Sequence, residues 1–120
     1  MKTVLIADDK ATSRELVRTV LEKEGYSVIE AADGIEALRT AREAMPDIII
    51  LDLQMPGLDG FGVLLELRQD PRFAATPFMA LTASAMQGDR ERAITIGFNS
   101  YATKPIRLTE LRSEVERLLR

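Results

Sequence analysis

One pattern constrains this chain more than any other: five short apolar runs, each four or five residues long, alternate with longer stretches whose apolar residues recur at helical spacing. Such runs fall far short of the roughly 20 apolar residues a membrane span requires. Recurring about every two dozen residues, they read as βα units laid down as a parallel sheet with right-handed crossovers. The predicted strands are Thr3–Ala7, Ser27–Ala31, Asp47–Leu51, Pro77–Leu81 and Ser100–Thr103. Each is followed by a predicted helix.

The helices have local causes. Val17, Val20 and Leu21 form an apolar face that ends at Glu24-Gly25, where glycine suits a left-handed cap. Asp33, with Glu36 three residues on, makes a capping box ahead of "ALRTAREA". Asp59-Gly60 opens "FGVLLELRQD", which stops at Asp70-Pro71 because a residue before proline is driven out of helical geometry. A fourth helix spans about Gln87 to Ile96, despite the poor helix formers Gly88 and Thr95, and ends at Gly97. The last carries Leu108, Leu111, Val115 and Leu118 on one face.

Composition then removes whole classes of function. With no cysteine there is neither a disulfide framework nor a thiolate metal site, and with no histidine the commonest general base and zinc ligand are gone. Any chemistry must run on carboxylates, lysine and hydroxyls. A net charge of −3 argues against a dedicated nucleic-acid binder, which carries a basic stripe. The arginines Arg90, Arg92, Arg107, Arg112 and Arg117 read as solvated helix faces. At 120 residues, with no linker, low-complexity stretch or further repeat, residues 1–120 are expected to form a single domain. The opening "VLIA" is shorter than the apolar part of a signal peptide, so a cytoplasmic location is expected.

Open α/β sheets bind ligands beyond the carboxyl ends of their strands. In this chain strand 1 leads into Asp8-Asp9, strand 3 ("DIIIL") into Asp52, strand 4 into Thr82 and strand 5 into Lys104-Pro105. Singly, each has an ordinary explanation: a helix cap for Asp8-Asp9, a loop cap for Asp52, a β-branched strand residue for Thr82, a surface charge for Lys104. None of these explains why all should project from one edge of the sheet. Clustered carboxylates repel, and the repulsion is relieved by protonation or by a cation. An all-oxygen, wet site suits Mg²⁺, which takes one or two carboxylates and keeps waters or phosphate oxygens for the rest. A lysine and a hydroxyl beside it complete a site for a phosphoryl group, with Asp52 as a carboxylate nucleophile.

"IADD" at 6–9, "LDLQMPGLDG" at 51–60, "LTAS" at 81–84 and "YATKP" at 101–105 resemble, in order and spacing, the receiver domain of response regulators of two-component signal transduction, the stand-alone chemotaxis regulators among them. The resemblance covers essentially the whole chain. It implies a flavodoxin-like (βα)5 fold with a five-stranded parallel sheet in the order 2-1-3-4-5. It implies that Asp52 accepts a phosphoryl group from a histidine kinase or histidine phosphotransfer protein. Mg²⁺ ligands are implied at Asp9, Asp52 and the Gln54 backbone carbonyl, with Asp8 acting through water. Lys104 resembles the lysine that pairs with a phosphoryl oxygen, Lys104-Pro105 the family's cis bond, and Thr82 and Tyr101 the switch pair. Ala83, being small, leaves the acceptor accessible, while Gln54 and Ser84 flank the phosphoryl group and bear on its hydrolysis. The output is then a phosphorylation-dependent surface of helix 4, strand 5 and helix 5 that binds a downstream target protein, without direct contact to nucleic acid or membrane, as a monomer or a phosphorylation-dependent dimer. In this reading the protein is not a conventional enzyme, although it promotes its own phosphorylation and dephosphorylation.

Other readings fit less well. A phosphatase of the haloacid dehalogenase type needs a second Asp two residues after the nucleophile to protonate the leaving group, and Gln54 stands there. A flavodoxin-like cofactor binder needs a phosphate cradle in the first βα loop, where "DDKATSRE" offers two negative charges. A receiver module excised from a hybrid histidine kinase or a multidomain regulator would carry the same motifs.

Overall fold

The computed structural model describes residues 1–83 and 88–120. Its elements run β1 (Thr3–Ala7), α1 (Ala11–Lys23), β2 (Ser27–Ala31), α2 (Gly34–Ala44), β3 (Ile48–Asp52), α3 (Gly60–Arg68), a 3-10 turn (Pro71–Phe73), β4 (Phe78–Thr82), α4 (Asp89–Ile96), β5 (Ser100–Thr103) and α5 (Leu108–Leu118). All strand pairs are parallel and the order is β2-β1-β3-β4-β5, the flavodoxin-like arrangement.

Strand alternation divides the core in two. Val4 and Ile6 of β1, Ile48 and Ile50 of β3, and Met79 and Leu81 of β4 face α1 and α5, where Val17, Leu21, Leu111 and Val115 cover them. Leu5, Ala7, Ile49, Leu51, Phe78 and Ala80 face the other way, against Ala37 and Ala41 of α2, Val63, Leu64 and Leu67 of α3, and Ala93 of α4. Burial on both faces is why the central strands read as unbroken apolar runs.

The predicted elements differ from the structure at their ends. β3 and β4 each begin and end one residue later than expected, because Asp52 still pairs with Leu81 and Thr82 with Thr103. α3 closes at Arg68, and Asp70 caps the following 3-10 turn by accepting from the Arg72 amide. α4 starts at Asp89; the predicted start at Gln87, like Ser84, lies outside the described residues. Asp33 caps α2 through the Glu36 amide as the sequence anticipates. Leu108, placed on the apolar face of α5, is 40% exposed, and Leu111 and Val115 carry the packing. No described helix is long and apolar enough to cross a membrane.

Candidate functional site

The ladder between β1 and β3 brings Asp8 and Asp52 to one corner of the sheet although 44 positions separate them, the register running from Val4–Ile48 to Ala7–Leu51. Counting along β3, Asp52 falls on the same face as Ile48 and Ile50, toward α1 and α5. Oxygens of Asp8, Asp9 and Asp52 lie within 4.8 Å of one another, with Asp8 and Asp52 buried and Asp9 exposed. Two carboxylates at that spacing repel by about 3 kcal/mol at an effective dielectric of about 20. Something positive must offset this.

Lys104 is the positive group. Its Nζ lies 2.6 Å from Asp8 Oδ2 and 3.2 Å from Asp52 Oδ2, reaching over from the end of β5, and the Lys104–Pro105 peptide is cis. Burial alone would lower the lysine pKa, but Asp8 and then Asp52 outweigh it and hold the ammonium above its ordinary value. The Asp52 carboxyl is pushed up, first by burial and also by Asp8, with the Gln54 amide and Lys104 pulling it back. Asp52 Oδ1 accepts from that Gln54 amide at 3.0 Å.

The ordinary explanation for Asp8-Asp9, a helix cap, is not what is seen. Lys10 is the N-cap of α1 and makes no side-chain cap bond, while Asp8 Oδ1 accepts from the Lys10 amide at 2.9 Å in a local turn. Asp8 Oδ2 is buried, and among the described residues no donor meets it at a hydrogen-bonding angle; only the Lys104 charge compensates it. A buried carboxylate oxygen left this way, beside two more carboxylates, is a donor set made for a hard cation. Asp8, Asp9 and Asp52 fit a divalent metal.

The surrounding backbone is built tightly. Leu53 continues the ladder, its amide donating to Leu81 at 2.8 Å, and buries its side chain in the α2–α3 core. The chain then turns at Gly57, whose φ of 77° lies in the left-handed region that favours glycine. Asp59 caps α3 by accepting from Gly62, and Gly60 lies directly against the Asp52 carbonyl. A polar cleft of about 200 Å³ beside the cluster is lined by Gln54, Thr82, Phe61 and Arg92, among others, and an apolar one of about 260 Å³ on the Lys104 side by Leu16, Val17, Pro105 and Ile106, among others.

Among the sequence-predicted residues, Asp8, Asp9, Asp52 and Lys104 therefore meet in one cluster. Thr82 is buried at the end of β4 and lines the polar cleft with Gln54. Gln54 itself meets Asp52 through its amide N–H. Tyr101 is half-buried, pairs in register with Ala80 and packs against the α2–α4 side of the core. Ala83 is exposed and Asp52 is 2% exposed. Sequence reasoning missed Arg14, whose guanidinium reaches the Asp8 carbonyl; its position one turn into α1 was the only signal. Arg92, read as a solvated face, stacks over the Phe61 ring at 4.4 Å.

Comparison with known proteins decides the family, because residues 4–116 match the model of the response regulator receiver domain. The chain belongs to that family. It is 40% identical to the polar-differentiation response regulator DivK of Brucella anthropi over 88% of this chain and 85% of that one. Among solved structures it superposes on the chemotaxis response regulator CheY4 of Vibrio cholerae with a TM-score of 0.92, at 33% identity over 99% of both chains. The receiver domain of the sensor histidine kinase PA1611 of Pseudomonas aeruginosa, solved with a magnesium ion coordinated in its active site cleft, gives a TM-score of 0.90 at 35% identity, covering 98% of this chain and 97% of that one. The receiver chain spans about half the length, 45 to 50%, of several other curated relatives, a DNA-binding transcriptional regulator of Synechocystis among them. Receiver domains are signalling domains. The acidic cluster is compatible with phosphorylation and Mg²⁺ binding in such a domain.

Proposed function

We propose that this receiver takes a phosphoryl group onto Asp52 from a phosphohistidine of a histidine kinase or phosphotransfer protein, in the cytoplasm, and signals to a downstream protein. The observation that carries the reading is the meeting of three carboxylates within 4.8 Å with a lysine Nζ 3.2 Å from Asp52 Oδ2. Asp9, Asp52 and the Gln54 carbonyl would hold Mg²⁺, with Asp8 acting through water; the ion, when bound, supplies charge neutralisation for the transferring phosphoryl oxygens. The Asp52 carboxylate attacks phosphorus, the donor's N–P bond breaks, and its electron pair stays on the donor nitrogen. Lys104 pairs with an oxygen of the transferred group, and the buried strand end keeps the nucleophile in line. No side chain here needs to act as a base, which agrees with the lack of histidine.

The added charge then draws Thr82 and Lys104 toward the phosphoryl group, and the surface formed by α4, β5 and Tyr101 with α5 repacks. Such a two-state element shifts by as much as the group interacts differently with the two states. Hydrolysis of the acyl phosphate resets it. DivK and CheY4, which match this chain over most of their lengths, support a single-domain regulator; in this reading it acts on a partner protein, as a monomer or a phosphorylation-dependent dimer. The longer curated relatives, which are transcriptional regulators, and the receiver domain of the sensor histidine kinase PA1611 favour a second reading, in which the same domain controls a fused output or kinase module.

Intact mass after incubation with Mg²⁺ and acetyl phosphate tests the chemistry. One added phosphoryl group, absent with EDTA and absent from Asp52→Asn, is the expected result. An unchanged mass in the wild type, or labelling that survives Asp52→Asn, defeats the assignment.

A further inference from the structure

Asp8 sits where the β1–β2 ladder ends. Its amide still donates to the Ala31 carbonyl at 3.1 Å, but the strand register closes at Ala7–Ala31, so its own carbonyl has no strand partner. That carbonyl is taken instead by Arg14, whose Nη1 donates to it at 2.7 Å. The residue is fully buried, and a buried carbonyl left unpaired carries the full penalty of its lost hydration.

Arg14 is itself braced. Its Nε donates to Glu30 Oε1 at 3.0 Å, across to the edge strand β2, and Glu30 Oε2 accepts from Arg18 Nη1 at 2.8 Å. Arg18 and Arg14 together hold the Glu30 carboxyl below its ordinary range against the opposing effect of burial, so the brace stays charged. The planar guanidinium spans two acceptors in fixed directions, a carbonyl and a carboxylate, which a lysine ammonium does not reproduce. The Asp8 peptide is therefore held at its amide by Ala31, at its carbonyl by Arg14 and at its side chain by Lys10. Asp9, the next residue, takes its direction from that peptide.

We infer that Arg14 is a positioning residue for the acidic cluster: through the Asp8 carbonyl, and braced by Glu30, it orients Asp8 and Asp9 and so sets the cluster's affinity for a divalent cation. The inference rests on reading the cluster as a metal site. Its sign separates it from simple electrostatics. Removing a positive charge near three carboxylates strengthens attraction for a cation, so weaker binding in an Arg14 variant comes from lost orientation.

Titration calorimetry with MgCl₂ on the whole chain tests this, comparing wild type, Arg14→Met, Arg14→Lys and Val115→Ala, the last a core destabilisation in α5 away from the cluster. Loss of an outer-layer partner of a metal site costs about 10- to 100-fold in affinity, so Arg14→Met is expected to weaken Mg²⁺ binding about tenfold. Arg14→Lys should fall between the two, and Val115→Ala should match wild type. If Arg14→Met does not fold, Arg14→Lys carries the same comparison. Binding by the Arg14 variants as tight as wild type overturns the inference alone, as does equal weakening by Val115→Ala. No uptake by wild type overturns the metal-site reading and the inference with it.

Discussion

Gly60 seats α3 against the strand end that carries Asp52. A Cβ added there would stand 2.6 Å from the Asp52 carbonyl oxygen, 3.0 Å from Leu53 Cα and 3.1 Å from the Asp52 carbonyl carbon. All three are backbone atoms of the strand end that carries Asp52, so none can yield without moving β3 or α3. Overpacking of this kind costs about 1–3 kcal/mol. Against it stands the better helix propensity of alanine, worth at most about 1 kcal/mol and less at the first position of α3. The clash wins, and Gly60→Ala is expected to destabilise by about 2 kcal/mol. With an unfolding entropy of about 2.1 cal/mol/K per residue, that lowers Tm by roughly 8 °C for a chain of this size. Gly62→Ala is the internal control two residues along. Its Cβ would meet Leu58 mainly at Cδ1, the free end of a flexible side chain that can turn aside, so a change within about 0.5 kcal/mol is expected. Urea unfolding of the two variants beside wild type measures both. Equal stability of Gly60→Ala and wild type, or equal losses in the two variants, would refute the argument that α3 is seated on the Asp52 peptide.

Three further outcomes follow from the same geometry. Because the Asp52 carboxyl has a folded-state pKa above its ordinary 3.8, its ionisation removes stability as pH rises past that value; Asp52→Asn should melt higher than wild type at pH 7 in EDTA, and Mg²⁺ should raise Tm only in the wild type. A lower melting point for Asp52→Asn in EDTA would contradict this. Glu114 is held at about 2 by Arg117 and Ser100 against an ordinary 4.5, so its stabilisation is complete above 4.5 and lost as pH falls toward 2. With 28% of its side chain exposed it contributes roughly 1 kcal/mol, and the cost of Glu114→Gln in thermal melts should therefore shrink between pH 6 and pH 2.5. Tyr101→Ala should abolish the beryllofluoride-induced shifts of β5 and α4 amides in a nitrogen–proton correlation spectrum; unchanged shifts would remove Tyr101 from the switch.

The motifs at the strand ends were readable because they depend on chain order: an apolar run, a carboxylate, a turn. The alternation that makes the sheet and the Asp33 cap are local too, and the structure agrees with both. Strand ends were less legible. Asp52 and Thr82 belong to their strands because Leu81 and Thr103 pair with them, a condition set by neighbours distant in sequence. Arg14 was invisible for the same reason, since its role lies in a carbonyl six residues back and a carboxylate on another strand.

By itself, then, the sequence determined that strands would alternate with helices, and it marked which acidic and basic residues would stand at the strand ends. The resemblance supplied the strand order that puts β1 between β2 and β3, and the structure agrees; only the tertiary structure decided the distances, with Asp8 and Asp52 at one corner and the Lys104 Nζ reaching both. Local propensity acts over a few bonds. The separation of charged groups across a sheet follows from which strands are neighbours, and that is settled by burying both faces at once.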